Sequence, residues 1–269
     1  MKLLLISDLH VGSYWGLMPN KVDVRNPLSG DITRITSSRG QRELYREWAL
    51  LCERCKVEHI DHVIINGDIV EGQQYKNRGR EVWTTDLSVQ GDIARQLIEM
   101  LPCHHVYLTQ GTEYHVQGDR PLEQEVADTL CEHGRDAHYN PDMVLEVGGA
   151  RVHAMHKVGV TRTRYRATGI SAEMMIATFN QDPKHEFGRI DVLVRSHAHY
   201  FAAAMIGHMT GIITPCWKMR DPFSIKMGSM SVPDNGYVLL DINDGNVTLG
   251  KKLFKCGKPT VTYTGGDEA

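Results

Sequence analysis

Side chains that bind metal ions follow several apolar runs of this sequence. The run that contains Val192, Leu193 and Val194 ends in SHAH, which places His197 and His199 two positions apart. Because side chains alternate along a strand, these two imidazoles are predicted to leave the same face. One such pair does not define a site, so partners are needed elsewhere in the chain.

The same arrangement recurs where other predicted strands end. The first strand ends in SDLH, with Asp8 and His10, and the second ends in NGDIVEG, with Asp68. Two later strands end in QGTEYH and VHAMHKVG, with His115 and His156. In open α/β sheets ligands bind outside the carboxyl ends of parallel strands, so these groups are expected to converge. Mixed carboxylate and imidazole donors suit Mn, Fe or Zn better than Ca or Mg, and a cation offsets the cost of burying carboxylates.

Alternating strands and helices are needed to position these residues, and the first half of the chain predicts that order. Apolar periodicity predicts the strands 2–7, 62–66 and 104–109 and the helices 41–57, 87–101 and 121–133. This order favours a parallel sheet with helices packed on it. Further elements are mostly strands, at 144–147, 151–156, 191–195, about 201–214, 236–242 and 246–254, with one helix at about 171–180. The stretches 11–40 and 72–85 are predicted to be loops over a site.

The composition is that of an ordinary globular protein. The chain has 269 residues, of which 41% are hydrophobic and 23% charged, and we expect one domain over 1–269 because no repeat, linker or boundary is apparent. A net charge of −3 provides no global positive field for nucleic acid or anionic membranes, so any such contact has to be local. No segment approaches the roughly 20 apolar residues of a membrane span, and MKLLLIS is too short for a signal peptide. A cytoplasmic location without a membrane partner is the expectation.

The cysteines do not indicate a metal or disulfide framework. Cys52 and Cys55 form a single CxxC with no second pair downstream. They continue the apolar stripe of Leu44, Trp48 and Leu51 at helical spacing. Core packing is therefore favoured over a redox or metal role.

The chain contains, in this order, D-x-H, G-D-x-V-x-G, a glycine turn that ends in histidine, a lone histidine and an element like G-H-x-H. This order of motifs resembles that of the calcineurin-like metallophosphoesterase superfamily. The order is matched from residue 2 to about 200, and GSMSVPDNGYVLLDI is similar to the closing strands of that superfamily. The resemblance implies a four-layer α/β/β/α sandwich of two mixed sheets flanked by helices. It also implies two divalent metal ions between the sheets.

The resemblance assigns ligands to both ions, for which manganese is expected and iron, zinc or magnesium are alternatives. The first ion is assigned Asp8, His10, Asp68 and His199. The second ion is assigned Asp68, His156 and His197, so that Asp68 bridges the two. His153 is the rival to His156, but it points to the opposite face of its strand, whereas His156 stands at the strand end.

The third motif departs from the Gly-Asn-His of the superfamily. In GTEYH, Thr112 takes the place of the asparagine and the histidine is delayed to His115. This GT-x-YH form looks like that of some bacterial and phage members. Thr112 or Glu113 could supply the missing ligand, and His115 is the candidate catalytic acid that protonates the leaving oxygen, with a supporting or surface role as the alternative. Ser196 in place of a glycine is a minor departure.

Two further sets of residues bear on the substrate. The segment HKVGVTRTRYRATG contains three arginines that suit phosphate contacts, with a solvated loop as the alternative: Arg162, Arg164 and Arg166. Four loop aromatics could stack on bases or anchor their loops: Tyr14, Trp15, Tyr75 and Trp83.

These residues predict a phosphoesterase that uses a metal-activated water and needs no covalent intermediate. The expected substrate is a phosphodiester in nucleic acid or a nucleotide, so the enzyme would be a nuclease or phosphodiesterase. A phosphomonoesterase or protein phosphatase is the alternative among enzymes. A non-catalytic scaffold of the same fold is the alternative from another class, and two bound ions per chain would argue against it.

Overall fold

Six strands form the first sheet of the computed structural model, which describes residues 1–25, 29–75, 78–115, 121–159, 165–182, 187–222, 225 and 232–256. Their bounds are β1 (Lys2–Ile6), β4 (His62–Asn66), β5 (His105–Thr109), β6 (Asp136–Tyr139), β12 (Asn235–Asn243) and β13 (Asn246–Phe254). The strand order is β13-β12-β1-β4-β5-β6. Because β1, β4, β5 and β6 run parallel, their carboxyl ends meet at one edge of the sheet.

The second sheet has five strands. Their bounds are β7 (Met143–Val147), β8 (Ala150–Ala154), β9 (Val192–Arg195), β10 (Ala202–Ile206) and β11 (Met209–Ile213). The order is β10-β11-β9-β8-β7, and the three central strands run parallel while both edge strands are antiparallel. A separate antiparallel pair consists of β2 (Lys21–Arg25) and β3 (Ile32–Thr36).

Four helices occur in the described part of the chain. They are α1 (Arg39–Val57), α2 (Leu87–Glu99), α3 (Leu122–Glu132) and α4 (Thr168–Phe179). Ser38 and Gln41 begin α1 with a capping box, and the side chain of Asp86 caps the first turn of α2. None of these helices has the length and apolar content that a membrane span requires.

Alternating side chains of the strands divide the core into separate layers. Leu4 and Ile6 of β1 pack with the first three helices, whereas Leu3 and Leu5 pack between the two sheets. On the far side of the second sheet, Ile170 of α4 packs against the strands in a third cluster. Helices therefore cover the outer face of each sheet, and the predicted four-layer α/β/β/α sandwich is confirmed.

Three elements differ from the predictions. The stretch 11–40, predicted as a loop, contains β2 and β3, whose residues are mostly exposed and therefore lack a clear core pattern. The four-residue strand β6 was not predicted, because its sequence DAHY has one buried residue. The strand predicted at about 201–214 is two strands, β10 and β11, joined by a turn at Gly207 with φ of 59°.

The CxxC residues pack as predicted. Cys52 and Cys55 lie in α1, are buried, and belong to the cluster between the helices and the first sheet. Burial raises the pKa of the Cys52 thiol to about 12, so this thiol stays protonated at neutral pH.

Candidate metal centre

The six residues predicted to bind metal lie just beyond the carboxyl ends of parallel strands in both sheets. They follow β1, β4, β8 and β9, and they are Asp8, His10, Asp68, His156, His197 and His199. The facing sheets thus bring all six to one place, where their donor atoms form groups that could hold metal ions.

Left-handed backbone conformations direct these side chains to the centre. The strand β9 ends at Arg195, so His197 and His199 lie beyond it, with φ of 67° and 54°. Asp8 and His10 lie beyond β1 in the same way, with φ of 55° and 47°. Both pairs reach the same centre as expected, but they lie beyond their strands, so strand alternation is not the reason.

A glycine makes room for the central carboxylate and its neighbour. Gly67 has φ of +76°, and a Cβ there would lie 2.5 Å from Nδ1 of His156. Asp68 follows with φ of 50° and is 1% exposed. Glycine alone meets both requirements at position 67, because it tolerates positive φ and carries no side chain.

Asp68 stands in the middle of the site. Its Oδ2 lies 3.0 Å from Nε2 of His156 and 3.8 Å from Nε2 of His115. It also lies 4.0 Å from Nε2 of His10 and 4.0 Å from Nδ1 of His197. One carboxylate therefore faces four imidazoles from both sheets.

Asp8 is the second buried carboxylate of the centre. Its Oδ1 lies 3.1 Å from Nε2 of His199, 3.7 Å from that of His10 and 3.9 Å from that of His156. Its Oδ2 accepts a hydrogen bond of 2.5 Å from the Ser7 hydroxyl, which holds the carboxylate in place.

Three imidazoles turn the same ring edge toward the carboxylates. The Nδ1 atoms of His115 and His156 lie 2.5 Å and 2.6 Å from the backbone carbonyl oxygens of Glu71 and Asn66. Nδ1 of His10 lies 2.8 Å from a carboxylate oxygen of Glu71. In His115 and His156 the carbonyl acceptor keeps the proton on Nδ1, so the lone pair of Nε2 is directed to the centre. The contact of His10 with Glu71 is an ion-pair contact without hydrogen-bond geometry, and the negative charge favours a proton on the same nitrogen.

The donor atoms of the centre fit divalent metal ions. Three groups have their donors within 4.8 Å of one another: Asp8, His10 and His199; His10, Asp68 and His115; and Asp68, His156 and His197. Two donors about 2.1 Å from one cation and at right angles to each other lie about 3 Å apart. Asp8 Oδ1 to His199 Nε2, at 3.1 Å, and Asp68 Oδ2 to His156 Nε2, at 3.0 Å, match this spacing. Nε2 of His156 and Nδ1 of His197 are also buried without a hydrogen-bond partner among the described residues.

The electrostatics of the centre require positive charge. Burial alone would raise the pKa of both carboxyl groups, but neighbouring imidazoles, above all His156, hold the pKa of Asp8 and of Asp68 well below their usual range. Conversely, burial alone would lower the pKa of His156, but Asp68 and Asp8 raise it to about 10. Protons on imidazoles are therefore one way to compensate for the buried carboxylates, and cations are the other.

The residues of the third motif take different positions. The backbone N–H of Thr112 donates to Oδ1 of Asp68 at 2.7 Å, and its hydroxyl lies 3.2 Å from the same oxygen. The side chain of His115 is 12% exposed and faces both the centre and a cleft. Glu113 is exposed and lies outside the three groups of donors within the described ranges. Thr112, and not Glu113, therefore contacts the centre.

His153, the rival to His156, lies in another environment. Its Nε2 is 2.5 Å from Oδ1 of Asp142, and its Nδ1 is 3.3 Å from the guanidinium of Arg195. These contacts are separate from the centre, which agrees with the preference for His156.

Arg166, one of the three arginines predicted to bind substrate phosphate, contacts other residues of the chain. Arg166 donates to Oδ2 of Asp234 at 2.6 Å, and its guanidinium lies over the ring of Tyr200 at 4.9 Å. The other two arginines of that segment, Arg162 and Arg164, lie outside the described residues. Arg166 is therefore held within the chain through Asp234 and Tyr200.

A cleft of about 1100 Å³ opens beside the centre and is lined in part by His115, His156 and His197. Glu71, Lys218 and Asp221 also line it, and the sequence analysis identified none of these three. Glu71 lies within the motif GDIVEG, which is the one local signal that could have indicated it. Trp83 is 7% exposed and belongs to a core cluster, so it anchors its loop and cannot stack on a base.

No protein-family model matches the sequence, and no curated protein matches it. Among solved structures, an archaeal phosphodiesterase is 13% identical, with 94% of this chain and 100% of that chain covered at a TM-score of 0.50. The wild-type Vps29 from Entamoeba histolytica in complex with Zn²⁺ is 14% identical, with 95% and 100% covered at 0.45. A conserved Streptococcus pneumoniae protein described as a predicted phosphoesterase is 10% identical, with 94% and 97% covered at 0.39. At such low sequence identity, the structural similarity to the archaeal phosphodiesterase shows a shared fold, which is the sandwich that the superfamily resemblance implies. The TM-scores of the other two structures are too low to support a further comparison.

Proposed function

We propose that this chain is a metal-dependent phosphoesterase that hydrolyses phosphodiesters in nucleic acid or nucleotides. The observation that carries the proposal is the position of Asp68, a buried carboxylate within 4.0 Å of imidazole nitrogens from four histidines. Such a constellation is costly to bury unless protons on the imidazoles or bound cations compensate for the carboxylate. It lies at the carboxyl ends of parallel strands and beside a cleft, where α/β folds bind substrates.

The proposed ligand sets are those that the superfamily resemblance implies, and the donor groups overlap with them. Asp8, His10, Asp68 and His199 would hold one ion, and Asp68, His156 and His197 the other, with manganese as the expected metal. Two such ions would lower the pKa of a bound water and neutralise charge that develops on the phosphate in the transition state. Asp68 would serve both ions, because its carboxylate belongs to two donor groups.

Thr112 is proposed in place of the asparagine of the third motif, because its hydroxyl lies 3.2 Å from Asp68. Thr112→Val should therefore lower the bound metal measured by atomic spectroscopy, whereas Glu113→Gln should leave it unchanged. The reverse pattern would make Glu113 the ligand.

His115 is proposed to protonate the leaving oxygen. Its Nδ1 lies 2.5 Å from the carbonyl oxygen of Glu71, which fixes the ring and leaves Nε2 toward the cleft. A proton on Nε2 would then be within reach of an ester oxygen on a phosphate held at Asp68. Burial lowers the pKa of His115 below its ordinary value, so at a given pH less of it is protonated than of a free histidine.

The preference for diesters has two supports. A cleft of about 1100 Å³ is at the upper end of ligand sites and leaves space for groups on both sides of a phosphate. A protein with this fold is described as a phosphodiesterase, which makes diesters the first substrates to test.

The decisive experiment measures hydrolysis by metal-free and Mn²⁺-loaded protein. Substrates are bis-(p-nitrophenyl) phosphate, p-nitrophenyl phosphate, and single- and double-stranded DNA. The proposal expects Mn²⁺-dependent cleavage with the diesters ahead of the monoester. His156→Gln should abolish it and His153→Gln, on the same segment but outside the centre, should not. Bound metal without hydrolysis of any ester would instead favour the scaffold.

A further inference from the structure

The ring edge of His10 that faces away from the two aspartates meets a buried carboxylate. Nδ1 of His10 lies 2.8 Å from Oε2 of Glu71, and the two residues are each 1% exposed. Glu71 also offers its backbone carbonyl to Nδ1 of His115 at 2.5 Å. A single residue therefore contacts two imidazoles of the site, one through its side chain and one through its backbone.

The carboxylate of Glu71 is itself held from the opposite side. Nζ of Lys218 lies 3.2 Å from Oε1 and 3.1 Å from Oε2 of Glu71. The same ammonium lies 3.1 Å from Oδ2 of Asp221. Lys218 and Asp221 are 5% and 9% exposed, so water screens these contacts little. The four side chains form one buried line that runs Asp221, Lys218, Glu71, His10.

The segment that carries Lys218 is anchored to the first sheet. It follows β11 of the second sheet, and the N–H of Trp217 donates to the carbonyl of Asp8 at 3.0 Å. The N–H of Met219 donates to the carbonyl of Trp15 at 2.9 Å. Backbone hydrogen bonds on both sides of Lys218 therefore fix where its ammonium meets Glu71.

We propose that Glu71 is a positioning residue, clamped by Lys218 and Asp221, which fixes the ring of His10 with Nε2 toward the centre. This inference rests on the proposed metal centre for its functional meaning. A free neutral imidazole can carry its proton on either ring nitrogen, and the carboxylate beside Nδ1 favours the tautomer with the proton on Nδ1. A carboxylate behind a metal-binding histidine typically contributes 10- to 100-fold in metal affinity.

The positioning role of Glu71 and a simple charge effect predict opposite changes in metal affinity when the positive charge of Lys218 is removed. If Glu71 acted only as a negative charge near a cation, removing it would weaken metal binding and removing the positive charge of Lys218 would strengthen it. If Glu71 acts by position, loss of Lys218 leaves its carboxylate held only by the side-chain amide of Gln74, loss of Glu71 frees the ring, and both changes weaken binding. Lys218→Arg keeps the ion pairs and should preserve affinity.

The test compares Glu71→Gln, Lys218→Gln and Lys218→Arg with the wild type. Titration of Mn²⁺ or Zn²⁺ into metal-free protein, followed calorimetrically, should show roughly 10- to 100-fold weaker binding for Glu71→Gln and for Lys218→Gln. Glu58→Gln is the matched control, since it removes a Glu–Lys contact of 2.9 Å far from the centre and should change nothing. Opposite changes for the two glutamine variants would overturn the proposal.

A second readout needs neither metal nor substrate. Long-range ¹⁵N–¹H spectra of the metal-free protein should show His10 with the proton on Nδ1, and Glu71→Gln should reduce that tautomer while the circular dichroism spectrum stays unchanged. An identical His10 tautomer in both proteins would refute the positioning role. Should Lys218→Gln fail to fold, the His10 tautomer compared between wild type and Glu71→Gln decides the question. Wild-type protein that binds metal but hydrolyses no ester would refute the proposed function and leave this inference standing.

Discussion

Replacing Asp68 by asparagine removes one negative charge from the point where two candidate metal-binding groups of side chains meet. The substitution keeps the shape of the side chain, and Oδ1 can still accept the 2.7 Å hydrogen bond from the N–H of Thr112. The main change is therefore electrostatic. Because Asp68 belongs to donor groups on both sides of the centre, both ions should be affected.

The magnitude follows from the spacing in the centre. Asp68 Oδ2 lies 3.0 to 4.0 Å from the four imidazole nitrogens around it. At an effective dielectric constant of about 20, two unit charges about 4 Å apart interact by about 4 kcal/mol. This corresponds to about 10³-fold in an equilibrium constant. A divalent ion carries twice the charge, so Asp68→Asn should weaken the binding of each ion by at least roughly 10³-fold.

The assay is calorimetric titration of Mn²⁺ into metal-free protein, with hydrolysis of bis-(p-nitrophenyl) phosphate measured in parallel. We expect less than one ion per chain and no turnover for Asp68→Asn. Asp142→Asn is the control, because Asp142 contacts His153 outside the centre and should leave both measurements unchanged. Loss of one ion with the other still tightly bound would refute the bridging role of Asp68.

Three further outcomes follow from other contacts. His115→Ala should slow hydrolysis of an alkyl phosphodiester by roughly 10²–10⁴-fold and that of a nitrophenyl diester much less, since only the poor leaving group needs a proton; equal losses would contradict the acid role. In metal-free protein the pKa of His156, about 10, is raised above the ordinary 6.5, so its stabilisation is complete below 6.5 and is lost as pH rises through 10. The Tm of the metal-free wild-type protein should therefore fall between pH 6.5 and about 10, whereas the Tm of His156→Gln should not fall in this way. A wild-type Tm that does not depend on pH over this range would contradict the prediction. Gly67→Ala should destabilise the protein by roughly 1–3 kcal/mol in urea unfolding because the new Cβ would meet His156. Gly30→Ala, with a similar φ of +77° and nothing within 4 Å, should cost clearly less, and equal costs would assign the effect to backbone strain.

The predictability of each element depends on how much of it is buried. In β1 and β4 nearly every residue is buried on both faces, which leaves the continuous apolar runs LLLI and VII. The pair β2 and β3 is mostly exposed and packs through few residues, so its sequence resembles a loop. Burial thus produces the pattern that a sequence reveals, and exposed strands do not carry it.

The candidate site could be predicted for the side chains that follow apolar runs, such as Asp8 and Asp68. The contact between Glu71 and Lys218 could not, because 147 positions separate the two residues and no local pattern joins them. The orientation of His197 could not be predicted either, because its left-handed φ of 67° depends on the packing around the turn. Local sequence therefore indicates which groups are present, and the tertiary structure decides how they are oriented.

Several residues of the candidate metal centre have left-handed backbone conformations, which lower the stability of the folded protein. Its non-glycine residues with positive φ are Asp8, His10, Asp68, His197 and His199. Such conformations cost a non-glycine residue on the order of 1 kcal/mol or more, and the surrounding fold has to compensate for each. Glycine at any of these positions would relieve that strain and would also remove a donor, so stability and the proposed metal site place opposite requirements on these positions. Under the proposed function these five positions carry a cost in stability that a non-catalytic scaffold of the same fold would not need.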